Sequence, residues 1–328
     1  MVRLLERLGG SSPGLLGLRC LQRPNGRGPV KAMSALAALR AGEGIEARET
    51  AASRWLPLLL SALAAGLSAV ALLGPLVTGV VDYRVTETLR NQTIGLDAVS
   101  MFFVAPLALL SALLIRRAHI AGPAIALGVG AYTAYMFLQY AVGPDYAHFP
   151  GNNERLFPLV LSLFAAGWIV VLAAWSKIDV ERLPVSSRRD RLIGRFLLPL
   201  LALAAFSRYV PQLMDWMSSS PEDENYLAGP GFSWAIAMLD LGVFLPATVA
   251  TCVGLVHRAP WAHKALYTVV GWFGLVGLAV AAMAITMYVN EDPIASGGNA
   301  IFMTLLGGLF LVLATYVFRP LLARRAPN

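Results

Sequence analysis

A chain of 328 residues that is 57% hydrophobic and only 14% charged is not a water-soluble domain, since those carry roughly 25% charged residues. Its mean hydropathy of +0.64 points the same way. The formal charge of +7 invites a nucleic-acid partner, but residues 1–32 hold six bases against Glu6 and account for +5 of it, so the remainder, at +2, excludes that partner.

The first stretch in chain order is this basic tail. Residues 1–50 contain Gly9-Gly10-Ser11-Ser12-Pro13 and several further Gly, Pro and Arg residues, which predicts a disordered segment with no stable contact to the rest. No apolar run long enough for a secretory signal precedes Cys20, and Gly17-Leu18-Arg19 is not a lipoprotein cleavage context. The tail reads as a transit peptide or as an extension ahead of a start at Met33, and the second reading is preferred. Cys252 is the only other cysteine, so there is no disulfide framework; within its apolar segment it reads as a packing residue.

Eight apolar segments follow, at 56–81, 95–115, 120–142, 157–175, 194–214, 234–256, 265–289 and 300–318. Each is near the ~20 residues that a bilayer requires. They predict an all-α, polytopic integral membrane protein occupying 51–328. Pro75, Pro106, Pro199 and Pro246 are expected to kink helices. The loops on one side, with the C-terminal tail, carry thirteen bases (Arg116 to Arg325), and those on the other carry three, Arg84, Arg90 and Arg155. By the positive-inside rule both termini lie in the cytoplasm of a multi-pass cell-membrane protein. Asn91-Gln92-Thr93, in a loop on the outer side, fits a glycosylation sequon, a pattern that also arises by chance.

One pattern occurs twice. Gly95–His119 opens on Asp97, runs without charge and closes on Arg116-Arg117; Asp240–Arg258, 143 residues after the first acid, again runs from acid to base through a proline. Acid and base are 19 residues apart in the first copy and 18 in the second, close to a bilayer's width at ~1.5 Å per residue. This predicts two parallel four-helix repeats, about 55–176 and 190–320, with the acids at matching depth. Pro106 follows its acid by 9 residues and Pro246 by 6, so the kinks are expected at different depths. Ala62/Gly66, Gly130/Ala134 and Gly277/Ala281 have the small-residue spacing that lets helices approach closely.

Charges in an apolar segment are candidates for function. Asp97, Asp240 and Arg208 are the three, and Arg208 is expected within ion-pair reach of either acid. The bland reading makes each Asp a solvated cap near the N-terminal end of its helix. Tyr132, Tyr135 and Gln139 share one helical face, which lines a polar cavity near Asp97 or belongs to an interfacial aromatic belt. Tyr140, Tyr146, His148 and Glu154 add polar groups on the same side. His119, His148, His257 and His263 form no haem pair and no zinc spacing, so no cofactor or metal is implied. Walker, nucleophile-elbow, Cys-x-x-Cys and His-Glu-x-x-His motifs are missing.

The run GLDAVSMFFVAPLALLSALLIRRAHIAG, followed by AYTAYMFLQYAVG, resembles a family of uncharacterised bacterial polytopic membrane proteins. They share a G-x-D helix, a Pro-Leu pair (here Pro106-Leu107), an Arg-Arg turn and a tyrosine-rich helix. The resemblance returns at MLDLGVFLP and covers about 95–170 and 236–290. It implies a membrane architecture and no activity. The paired acids lean towards a non-enzymatic permease or sensor for a small solute or ion, with the lipid bilayer as the one partner implied. A membrane enzyme acting on a lipid-linked substrate and a non-catalytic scaffold are the alternatives. Substrate and oligomeric state are left open.

Overall fold

The apolar runs become helices because a backbone inside hydrocarbon must satisfy its own hydrogen bonds. The computed structural model describes residues 55–323, and every regular element among them is helical. The expectations for the tail over 1–50, and for Arg324 and Arg325, lie outside the described residues. Seven helices are long and apolar enough to cross a membrane: α1 (Trp55–Leu73), α2 (Glu87–Arg116), α3 (Ala121–Val142), α4 (Asn153–Lys177), α6 (Pro230–Val256), α7 (Pro260–Val289) and α8 (Gly297–Leu322). The segment expected at 194–214 is helical too, as α5 over 187–216, but it is not one of the seven. It opens on three arginines and carries Arg208 and Pro211. This is the build of a multi-pass membrane protein.

Most helices start earlier than their apolar runs, and in two of them the earlier start changes the setting of an acid. Glu87, eight residues before the expected boundary, opens α2, and the Thr86 side chain caps it by accepting from the Leu89 amide at 3.4 Å. Pro230 opens α6, where its missing N–H costs nothing. Asp97 and Asp240 therefore stand ten residues inside their helices. The capping reading of both acids is corrected.

Three of the prolines leave a local mark on their helices. Three five-residue π turns interrupt the helices: Ser100–Val104 in α2, Ile193–Leu197 in α5 and Asp240–Phe244 in α6. All three end two residues before a proline: Pro106, Pro199 and Pro246. A proline ring clashes with the carbonyl four residues back and offers no N–H to it. Widening the preceding turn relieves the clash, so the amides of Ala105, Leu198 and Leu245 bond five residues back, to Ser100, Ile193 and Asp240. Pro75 kinks nothing, because α1 ends at Leu73.

The tight turns after α2 and α6 share one backbone hydrogen-bond pattern. Ala118 (φ 52) and Arg258 (φ 56) both take the left-handed conformation. The amides of Ala118 and His119 bond Ile115 and Leu114, while those of Arg258 and Ala259 bond Leu255 and Gly254, the Schellman arrangement in each case. Adding 140 carries one set onto the other, and it also carries the π turn onto the π turn and Pro106 onto Pro246. These features coincide at an offset of 140, not at the 143 that separates the two acids. Asp240 falls opposite Ser100, and Asp97 opposite Ala237. In that register the acids are three residues out of step, ~4.5 Å of helical rise, while the π turns coincide. Counting from acid to base misled because Arg116 is the last helical residue of α2, whereas Arg258 lies two residues beyond the end of α6.

Helix α3 is the centre. Its apolar window is 83% buried, against 11% for α8 at the periphery. Bare glycines let the backbones close in: a Cβ on Gly128 of α3 would stand 3.0 Å from the Gly271 Cα of α7, and one on Gly95 of α2 would stand 2.6 Å from Ala282 of α7. The small residues Gly130 and Ala134 meet Gly167 of α4, and Gly277 and Ala281 meet Gly307 of α8, as the spacing predicted.

Candidate functional site

Because α3 is central, its polar side chains are shared among its neighbours. Tyr135 and Tyr140 are five residues apart, roughly 140° around the helix, so they serve different partners. The Tyr135 hydroxyl donates to Oδ1 of Asp240 at 2.8 Å, and Tyr209 of α5 donates to Oδ2 of the same carboxyl at 2.5 Å. Asp240 thereby joins α3, α5 and α6 at the first residue of a π turn. An aromatic wall closes this site: Phe244 stacks on Trp272 with centroids 3.6 Å apart, and both meet Tyr135 edge-on at 5.2 Å.

The second carboxyl has a different setting. Asp97 is 1% exposed, and its Oδ1 accepts from Tyr140 at 2.6 Å. Its Oδ2 is buried with no hydrogen-bond partner among the described residues, and so is the hydroxyl of Tyr83. Both oxygens face Gly74, where a Cβ would lie 2.9 Å from Asp97 Oδ2 and 3.2 Å from the Tyr83 hydroxyl. Tyr132 sits beside this group and shares a 3.3 Å hydrogen bond with Ser100. A narrow cleft lined by Tyr83, Leu89, Gln139, Tyr140, Gly143 and Phe232 approaches from the end of the bundle opposite the Arg116 turn. Its interior of ≈ 20 Å³ has room for about one water.

The five residues picked from the sequence thus divide between two places. Asp240 takes Tyr135; Asp97 takes Tyr140 instead; Gln139 lines the cleft, its side-chain nitrogen buried with no hydrogen-bond partner among the described residues. Tyr132 and Tyr135 are buried inside the bundle, so they are not an interfacial belt. Arg208 is exposed and makes no ion pair among the described residues, which corrects the expected pairing. Its charge reaches Asp240 and Tyr209 only at longer range. Sequence reasoning missed Tyr209, Tyr83 and Gly74. Tyr209 had one signal, its position next to Arg208: adjacent helical residues point ~100° apart, so an exposed arginine turns its neighbour inward.

A separate charged cluster ties α5 to α7. Asp190, 3% exposed, contacts Arg189 Nε at 3.1 Å and His263 Nδ1 at 3.6 Å, and its Oδ2 accepts from the Ser186 amide at 3.1 Å. Arg189 also donates to the Pro184 carbonyl at 2.7 Å. At the far end of the bundle Asn91 donates to Asp292 at 2.9 Å and accepts from Asn290 at 2.8 Å. Being buried and bonded, the Asn91 amide is closed to glycan addition in the folded protein.

Chemically, two carboxyls held only by phenols can take up and release a proton or meet a cation. No group of three His, Cys, Asp or Glu residues among the described ones is arranged to hold a metal. No protein-family model, curated protein or solved structure matches the chain.

Proposed function

We propose that this chain is an ion-handling membrane protein, a permease or sensor for an ion or small solute, working through Asp97 and Asp240. One observation carries this reading: two carboxyls lie ten residues inside apolar helices, and neither has an ion-pair partner among the described residues. Retaining a buried carboxylate without a counter-charge costs several kcal/mol, so each is neutralised by a proton or by an arriving cation. The reading extends to the architecture. Eight helices form two four-helix halves, about 55–176 and 190–320, related along the membrane normal; the shared 140-residue register of kink and turn supports this. Both termini face the cytoplasm of a cell membrane, supported by the thirteen-to-three asymmetry of loop bases. Family membership among bacterial polytopic proteins rests on the G-x-D helix and Arg-Arg turn.

Close packing and a cleft of one-water size favour a scaffold as the second reading. The test is purified protein in liposomes with imposed H⁺, Na⁺ or K⁺ gradients, alongside thermal melting with each ion. Ion handling requires flux or an ion-dependent melting shift that Asp240→Asn abolishes. Neither response to any of the three ions leaves the scaffold.

A further inference from the structure

Asp97 has a feature that Asp240 lacks. Both Asp240 oxygens are occupied, whereas Asp97 Oδ2 and the Tyr83 hydroxyl are each buried and unpartnered among the described residues, and they flank the same bare Cα of Gly74. Each lies about 3 Å from the point where a Cβ would stand, so they are at most about 6 Å apart. Within that bound, two hydrogen-bonding oxygens about 4.5–5.5 Å apart are spanned by one water, with both bonds near ~2.8 Å. Tyr83 also lines the cleft, and Asp97 does not. Tyr140 lines it too but is engaged at Oδ1, which leaves Tyr83 as the cleft residue whose hydroxyl is on the Oδ2 side.

We propose that Asp97 is a proton-binding site loaded through this cleft, with the Tyr83 hydroxyl and a water seated over Gly74 as its relay. This names the ion of the reading above and rests on it. A hydronium in the cleft gives a proton to the Tyr83 oxygen. Tyr83 passes its own hydroxyl proton to the seated water, and that water passes one of its protons to Asp97 Oδ2. The carboxylate becomes a neutral acid, the hydronium becomes water, and the relay groups end as they began. Tyr140 donates to Oδ1 throughout and leaves Oδ2 as the atom that titrates.

A metal cation fits poorly here. Hard cations take six or more oxygen ligands, and the pocket offers two free ones. The titratable groups that face Asp97 are Tyr132 and Tyr140 from α3 and Tyr83 from the loop after α1; α7 packs on this part of α2 through backbone at Ala282 and Met283. None brings a positive charge. Burial, and then the neighbouring carboxyl, push the Tyr83 phenol well above its ordinary range. It stays a neutral hydroxyl, able to accept and donate at once.

The test is infrared spectroscopy of the full chain in liposomes on transfer from H₂O to D₂O. The wild type is expected to show a protonated-carboxyl band that shifts promptly on deuteration and is lost in Asp97→Asn. In Tyr83→Phe the band persists but exchanges about 100-fold more slowly, the usual scale for removing one positioned proton-transfer group. Gly74→Ala, whose methyl group fills the water's seat, slows exchange likewise. A band unaffected by Asp97→Asn overturns the proposal, and so do wild-type exchange rates in both relay variants. If one variant fails to fold, the other and the wild-type band decide. Ion flux without an exchanging Asp97 band sinks the proton site and spares the ion-handling reading; an exchanging band with no flux or ion response does the opposite.

Discussion

Asp190 and Asp97 are both almost fully buried, at 3% and 1% exposure, yet they are different objects. Asp190 has an arginine, a histidine and a backbone amide around it, and each of its oxygens is used. Asp97 has one phenol and an idle oxygen. Burial alone does not tell a strut from a working group. The partner set does: a carboxyl with charge and hydrogen bonds supplied on both oxygens is tied into the frame, whereas one offered a single hydroxyl has an oxygen left to use. Asp240 stands between them, with both oxygens bonded and no positive charge in contact.

Asp190→Ala is the hardest way to break that contrast. It leaves Arg189 buried at 9% exposure without its carboxylate, and breaking a buried pair costs about 3–5 kcal/mol. Thermal melting in detergent should fall by the largest amount of any change discussed here. An unchanged melting temperature would mean that Arg189 finds water when its partner goes, and the cluster would no longer be a strut between α5 and α7.

Next in size come the two hydroxyls on Asp240, and their loss measures its charge. Removing a hydrogen bond from a neutral group costs about 0.5–1.5 kcal/mol, and from a charged one about 1.5–3 kcal/mol. If Asp240 is protonated in the resting bundle, Tyr135→Phe and Tyr209→Phe should each fall in the lower range. Costs in the upper range would make Asp240 an ion like Asp190 and move it to the other side of the comparison. Tyr135→Phe retains the edge-on contacts with Phe244 and Trp272, so packing contributes little to the difference.

The sequence revealed the helices and hid the faces. Apolar length is a property of a run, so α3 and α7 were legible to within a few residues. Boundaries failed where polar residues extend a helix beyond its apolar run, as at Glu87-Thr88-Leu89-Arg90 in α2. Prolines were legible as places where a helix is disturbed; the π turns before three of them were not, because they depend on how each chain relieves the ring clash. Asp97 and Asp240 stood out as charges in apolar surroundings. Their partners did not, since Tyr140 and Tyr209 are ordinary residues until folding decides which way they point. Arg208 drew attention by charge alone and proved exposed. Asp190, a lone acid among Arg188, Arg189 and Arg191, drew no reading from the sequence, although an acid surrounded by bases is itself a pairing signal.

The smallest expected effect is the most discriminating. Asp97→Asn replaces a carboxyl by an amide of nearly the same shape, and the amide oxygen can still accept from Tyr140. If Asp97 is a neutral acid in the resting protein, the exchange removes no charge and creates no cavity, so melting should move by no more than one ordinary hydrogen bond, about 1 kcal/mol. The same change at Asp190 removes a charge that Arg189 needs, and its cost should be several times larger. Measuring both side by side in one detergent cancels the uncertainties of absolute membrane-protein stability. A large loss at Asp97 would show that it holds its place as an ion, with a cation supplied by solution, and the proton would lose its claim to the site. A small loss at both positions would instead mean that burial at Asp190 is less complete than its 3% exposure indicates. Only a small cost at Asp97 beside a large one at Asp190 keeps the two carboxyls in separate classes.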